Sequence, residues 1–324
     1  MYIDKSRKEK VVAITVTYNR IHTLRKCLSA LLNQSIAVDE IIVVDNNSCE
    51  DEKKQINDMV MTNNHIHLVS LDDNLGGAGG FEAGMKAAAQ FSPDWYWLMD
   101  DDAYPREDCL KSLLSYGKIL PDVGGVCPAI YGVDLERFQL YHHKKLSRLM
   151  LKNSPVGRKY EDLGKITEED ANAFVGPLFP KKVVDELGIA DGSLFIYGDD
   201  TEYTYRISRK YKLYLIKDAI INHQDAPVTS ENMSPKGWWK EYYCNRNQYF
   251  MIRKFHRNAG IRYLAFGLYT ARLTAIIIKS RLMGYHGLRS RMIIKSMRDG
   301  FKNHRGKTVD PQKYLLYLQR ENIN

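Results

Sequence analysis

The chain is 324 residues long, 44% hydrophobic, and carries a formal net charge of +8. That length fits one α/β domain with a sizeable appended region, and that apolar share excludes a globally disordered chain. Five cysteines (Cys27, Cys49, Cys109, Cys127 and Cys244) with no C-x-x-C pair argue against a disulfide framework or a structural zinc, and fit a reducing compartment.

The first residues are charged and the apolar run after them is only strand length, so no signal peptide is read there. "KVVAITVTYN" predicts a buried strand, β-branched, short and closed by polar residues. Thr23 is placed as the N-cap of a helix running to Gln34, with Leu24, Leu28, Leu31 and Leu32 on one face. "EIIVVDNNS" is a second strand, ending at Asp45, and a polar helix follows it. The strand "IHLVSL" leads into the loop "DDNLGGAGGFEAG" and an Ala-rich helix to Phe91. Then "WYWLM" runs straight into Asp100, Asp101 and Asp102.

Unbroken apolar strands alternating with helices predict a Rossmann-like α/β domain, its mostly parallel sheet covered on both faces. Ligands of such sheets bind beyond the carboxyl ends of the strands. Thr17 to Arg20, Asp45, Asp72 to Asn74 and the three aspartates all fall there.

Residues 132–169 are patternless and basic, and read as a flexible or substrate-covering insertion. Order returns at "AFVGPLFPKKVVDELG", "LFIYGDDTEYTYRISRK" and "YKLYLIKDAIINHQD". From Lys236 onward there are 19 Lys+Arg against 4 Asp+Glu, whereas residues 1–235 hold 28 against 35. This asymmetry predicts an acidic catalytic part over 1–232 and a basic helical part over 233–324. No window reads as a spanning helix; the nearest, "YLAFGLYTARLTAIIIKSRLMGY", is interrupted by Arg272, Lys279 and Arg281.

Three carboxylates at the end of a buried strand repel one another unless something positive offsets them. A solvated turn is the plain reading. The alternative is a divalent cation held by Asp102 with Asp100, its remaining ligands coming from a substrate diphosphate. His223 ends another apolar strand and is either structural or a ligand; with Asp102 it would favour manganese over magnesium. Asp199 and Asp200 open a helix, where negative charge is favourable. They cap it, or one of them takes a proton from an acceptor hydroxyl. Glu202 binds that acceptor or pairs with Arg206 one turn on.

The glycine loop lets a ligand approach the main chain beside a helix N-terminus, and matches neither a P-loop nor a dinucleotide fingerprint. Asp45 caps a turn or accepts the N3–H of uracil or thymine. His142 and His143 receive no role.

"TYNR", "VVDNNS", "NLGGAGGFEAG", "MDDD" and "FIYGDDTEY", in this order between Val11 and Asp225, resemble the inverting nucleotide-sugar glycosyltransferases of family 2, with their A-type fold. Within that family the pattern is most similar to bacterial galactofuranosyl- and rhamnosyltransferases of cell-wall, capsule and O-antigen synthesis. The resemblance implies that Thr17, Tyr18, Asn19, Arg20 and Asp45 line a nucleotide pocket, and that Asn74, Gly76 and Gly77 close over the donor. It implies that Asp100 and Asp101 belong to the donor site, and that Asp100, Asp102 and His223 hold Mn2+ or Mg2+. Asp200 would be the base, with Asp199 and Glu202 facing the acceptor.

The implied donor is UDP-galactofuranose, with dTDP-rhamnose the alternative, and the acceptor a glycan or lipid-linked oligosaccharide. "YYCNRNQYF" is similar to a segment of these enzymes, with Arg246 facing the diphosphate or packing the helices. The basic C-terminal part is a helical cap or a peripheral contact with the cytoplasmic face of the membrane; nucleic acid is the least favoured partner. The oligomeric state is left open, a homo-oligomer included. The rival from another class is a non-catalytic nucleotide-binding or membrane-scaffold protein, against which Asp200 and the intact aspartate turn argue.

Overall fold

The computed structural model describes residues 9–133, 137–224, 234–282 and 287–323. The chain divides into two compact units. The first comprises Met1–Lys145, Ser154–Gly192 and Asp200–Asp225, and the second Leu146–Asn153, Ser193–Asp199 and Ala226–Asn324.

In the first unit, β1 (Val11–Thr17), α1 (Ile21–Leu32), β2 (Glu40–Asp45), α2 (Glu50–Val60), β3 (Ile66–Ser70), α3 (Gly76–Ala88) and β4 (Trp95–Asp100) alternate as the sequence predicts. β1 pairs in parallel with β2 and β4, and β2 with β3. The chain continues through β5 (Ala103–Pro105), α4 (Cys109–Ile119), β6 (Val123–Gly132), β7 (His143–Leu146), β8 (Asn153–Pro155), β9 (Ile166–Glu169), β10 (Ala171–Asn172), β11 (Val175–Pro180), α5 (Lys181–Leu187), α6 (Asp199–Ser208) and β12 (Lys212–His223). The large sheet has the order β3-β2-β1-β4-β11-β6-β12-β5, with β9 also on β12. β11 runs antiparallel to β4 and β6, so the sheet is mixed.

The apolar runs are continuous because the central strands are covered on both faces. Val11 and Ala13 pack with Leu24, Leu28 and Leu31 of α1 on one side; Val12 and Ile14 pack with Phe81 and Met85 of α3 on the other. α3 lies close to the sheet because it is rich in glycine. A Cβ at Gly84 would fall 2.4 Å from Ile14 Cγ2, and one at Gly80 2.3 Å from Val16 Cγ1. Those two glycines therefore serve helix–sheet packing.

Two local expectations are corrected. α1 begins at Ile21, not after Thr23, because a distant carboxylate replaces a local cap: Glu52 accepts the Ile21 N–H at 2.7 Å. Thr23 Oγ1 donates to the Arg20 carbonyl instead, and Leu32 is 47% exposed. The segment read as flexible carries β7, β8 and β9; its residues 134–136 lie outside the described ones. Its strands are only three or four residues long and show no alternation. They are anchored by polar burial: His143 and Glu169 sit 3.0 Å apart, both inaccessible, with Asn172 on the same carboxylate.

The second unit contains α7 (Trp238–Phe255), α8 (Ala259–Leu282), α9 (Gly287–Phe301) and α10 (Pro311–Arg320). Arg246 is wholly buried, donating to the carbonyl oxygens of Leu194 and Gly306, and its guanidinium lies 4.6 Å from the Tyr243 ring. It packs the helices. Next to it, Asn247 donates to the carbonyl oxygens of Leu194, Ile196 and Tyr197. α8 is long and apolar enough to cross a membrane by length and composition, with only 22% of its most apolar window buried. The expectation that its basic residues rule this out is corrected, because they are too few to offset the apolar residues around them.

Candidate active site

The parallel pairing brings the polar strand ends into one row. Thr17 lies opposite Asp45, and Val16 opposite Asp100. With neighbouring strands about 4.8 Å apart, Asp45 and Asp100 flank the end of β1. His223 ends β12, whose pairing partner there is Ala103, just after the aspartate turn.

The positive group demanded by the aspartates is Arg20. Its guanidinium bridges Asp101 at 3.1 Å and Asp102 at 2.5 Å. Thr17 Oγ1 donates to the other Asp101 oxygen at 2.6 Å. Burial dominates at Asp101 and pushes its carboxyl up to about 7, against the pull of Arg20 and Thr17. Burial acts the same way on Asp102, but His223 and Arg20 outweigh it and hold that carboxyl below the usual range. Asp101 thus anchors Thr17 and Arg20, while Asp100 and Asp102 face His223.

Ligand atoms of Asp100, Asp102 and His223 all lie within 4.8 Å of one another. Gln139 fixes the imidazole. Its amide nitrogen donates to the His223 carbonyl at 3.3 Å, so its oxygen faces His223 Nδ1 at 3.0 Å. The Nδ1 proton is then engaged, and Nε2 turns toward Asp102, 3.2 Å away. His142 donates to the same amide oxygen, and burial keeps its ring neutral. Two carboxylates and one oriented imidazole nitrogen fit a hard-to-borderline divalent ion such as Mn2+.

At the end of β2, Asp45 is buried and caps its turn, Oδ1 accepting the Ser48 N–H at 3.0 Å. Asn19, at φ 54°, links two turns: its side chain accepts the Cys49 N–H and its own N–H donates to Ser48 Oγ. Tyr18 is half-buried beside it. Asn74 accepts the Gly76 N–H at 2.8 Å, and Gly76 takes a φ of 72° that favours glycine. A Cβ at Gly77 would meet nothing within 4 Å, so this backbone faces open space.

Asp199 and Asp200 open α6. Asp199 is 8% exposed. Asp200 is half-buried and receives Lys144 Nζ at 2.9 Å. A short backbone path joins it to the acid cluster. The Asp100 N–H donates to the Phe174 carbonyl, and two residues back Asn172 is hydrogen-bonded to Thr204, which donates to the Asp200 carbonyl. Glu202 is 2% exposed and carries Arg206 on both oxygens, 3.1 and 3.2 Å away; it is given to the i,i+4 pair.

Sequence reasoning missed Gln139, Lys144 and Asn46. Asn46 clamps the glycine loop, accepting the Leu75 N–H and donating to the Gly76 carbonyl. Its place directly after Asp45 at a strand end was the available signal.

Several known proteins are similar to this chain. Galactofuranosyltransferase GlfT1 of Mycolicibacterium smegmatis (strain ATCC 700084 / mc(2)155) is 32% identical over 204 residues, 62% of this chain and 66% of that protein. GlfT1 of Mycobacterium tuberculosis (strain ATCC 25618 / H37Rv) is 30% identical over 203 residues, 62% of this chain and 65% of that one. The chain thus spans just under two thirds of the length of these relatives. Among solved structures, the mannosyltransferase PcManGT from Pyrobaculum calidifontis, in complex with GDP-Man and Mn2+, superposes with a TM-score of 0.57 at 13% identity, over 92% of this chain and 89% of that one. GalNAc-T7 with UDP, GalNAc and Mn2+ gives 0.55 at 14% identity, over 76% and 51%. The fold is therefore the mixed α/β sheet of A-type glycosyltransferases, with helices added at the C-terminus. Residues 12–188, more than half of the chain, match the Glycosyl transferase family 2 pattern, and the chain belongs to that family.

Proposed function

We propose that the protein is a metal-dependent inverting glycosyltransferase that moves galactofuranose from its uridine diphosphate to a hydroxyl of a glycan or lipid-linked acceptor. The observation that carries this reading is the convergence of Asp100, Asp102 and an oriented His223 at the carboxyl ends of β4 and β12. The galactofuranosyl relatives favour that donor over dTDP-rhamnose.

Asp100, Asp102 and His223 would hold Mn2+, which supplies charge neutralisation to the departing diphosphate. Asp45, with Thr17 to Arg20 around it, orients the pyrimidine, and the Asn74–Gly77 backbone closes on the donor. Asp200 takes the proton of the acceptor hydroxyl, and Lys144, 2.9 Å away, holds its carboxylate in place. Attack from the face opposite the leaving group inverts the anomeric centre. Asp199, at the mouth of α6, positions the acceptor. The basic C-terminal helices make a peripheral membrane contact where a lipid-linked acceptor would reside.

The test is titration calorimetry of UDP-galactofuranose with Mn2+ against the wild type and Asp102→Ala. The wild type binds only with metal, and the variant loses that dependence along with the affinity. Equal affinity in both proteins would overturn the metal assignment, and a preference for dTDP-rhamnose would replace the donor.

A further inference from the structure

The second unit has an open pocket of about 400 Å3 whose wall includes Lys152, Arg272, Cys244, Asn245 and Tyr269, and no carboxylate. Asn245 is 9% exposed. Its Oδ1 accepts from Tyr269 OH at 2.9 Å, while its Nδ2 has no hydrogen-bond partner. A buried amide donor without an acceptor is costly, and native proteins rarely leave one unmet. Lys152 and Arg272 are exposed and, among the described residues, have no ion-pair partner. Two cations, an unmet N–H and a thiol around one cavity make a receptor for an oxyanion.

α8 supplies the second observation. Ile261, Leu264, Leu268, Ala275, Ile278 and Leu282 recur at steps of three, four or seven residues and are all exposed. They form an apolar stripe on one side of the helix. Ala265, Phe266, Tyr269, Leu273 and Ile277 occupy the other side and are buried. Arg272, one turn beyond Leu268, leaves the helix between the stripe and the cavity, and Lys279 repeats that place one heptad later. An apolar stripe with basic residues along its margin is the pattern of a helix lying in the interface of an anionic bilayer.

We infer that the cavity seats the phosphate group of a membrane lipid while the outer face of α8 rests on the acyl region. The inference rests on the membrane contact proposed above and gives it a specific headgroup site. Arg272 and Lys152 grip the phosphate oxygens, and the Asn245 Nδ2 donates to one of them.

The experiment uses the full chain and vesicles of phosphatidylcholine, with and without phosphatidic acid. Wild-type protein sediments with the phosphatidic acid vesicles. The double variant Lys152→Ala/Arg272→Ala loses about tenfold or more in partitioning, since each basic residue near the surface counts. A control pair of exposed basic residues away from the cavity, Lys302→Ala/Arg320→Ala, loses markedly less. Asn245→Asp, which sets a carboxylate in the cavity, loses as the wall pair does. Independently of vesicles, pyrophosphate in metal-free buffer slows alkylation of Cys244 more than that of Cys49, the other exposed thiol.

If the wild type sediments with neither vesicle, the membrane contact itself falls. Binding that the wall and control pairs weaken equally overturns the headgroup site and leaves the membrane contact standing. Protection of Cys244 by pyrophosphate without vesicle binding overturns the lipid source. A dimer that buries α8, seen by light scattering, also overturns it.

Discussion

Gln139 holds the His223 imidazole at Nδ1, 3.0 Å away, while its own amide nitrogen is tied to the His223 carbonyl. The two bonds leave the amide one orientation and the ring one tautomer, with Nε2 facing the carboxylates. Gln139→Leu should therefore weaken Mn2+ binding about ten- to a hundredfold, as loss of an outer partner of a metal ligand does. Mn2+ titration by electron paramagnetic resonance reads the affinity, and 15N shifts of the His223 ring show whether a single tautomer persists. Unchanged affinity with one tautomer would remove Gln139 from this role.

Asp200 and Lys144 form a pair at 2.9 Å. Asp200→Asn keeps the shape and the hydrogen bonds to Thr201 but cannot take a proton. Turnover should fall about a hundred- to ten-thousandfold while donor affinity holds. Lys144→Ala should cost less, because the carboxylate remains. Steady-state rates alongside calorimetric donor binding separate these outcomes from misfolding.

Gly80 lies where a Cβ would press on Val16. Gly80→Ala should destabilise the first unit by about 1–3 kcal/mol, the usual cost of overpacking. Adding Val16→Ala should recover part of that loss. A urea series on the two single variants and the double gives the coupling; purely additive effects would show that the contact is not responsible.

Asp299 in α9 is 1% exposed. Burial opposes its ionisation, yet hydrogen bonds from Lys295 and Tyr242, with His304 nearby, pull its carboxyl down to about 2. A carboxyl lower in the folded than in the unfolded chain stabilises the fold above pH 4. That contribution fades as the pH falls toward 2. Asp299→Asn should lose roughly 1–2 kcal/mol at neutral pH and show a flatter stability profile between pH 4 and 2. Urea midpoints across that range check the sign.

The β1, β2 and β4 strands were legible because both faces are covered, and burial on both faces leaves an unbroken apolar run. The direction of β11 was not: "FVGPLFP" is as apolar as its neighbours, and pattern carries no polarity. Asp100, Asp102 and His223 could be grouped because each ends a strand. Gln139 and Lys144 could not, since both sit in a patternless segment and meet residues 84 and 56 positions away. The need for a positive group beside the aspartates was readable from their repulsion. That Arg20 fills it was not, because the contact spans 82 residues.

The Arg20 bridge across Asp101 and Asp102 supplies the cleft with its own counter-ion. The polypeptide can fold and wait with no divalent ion aboard, so chelation should leave its melting temperature almost unmoved. An ion held by Asp100, Asp102 and His223 would share the Asp102 carboxylate with that guanidinium, which sits on Oδ2 while Oδ1 faces His223. An incoming diphosphate would offer the Arg20 guanidinium a further negative partner beside that ion.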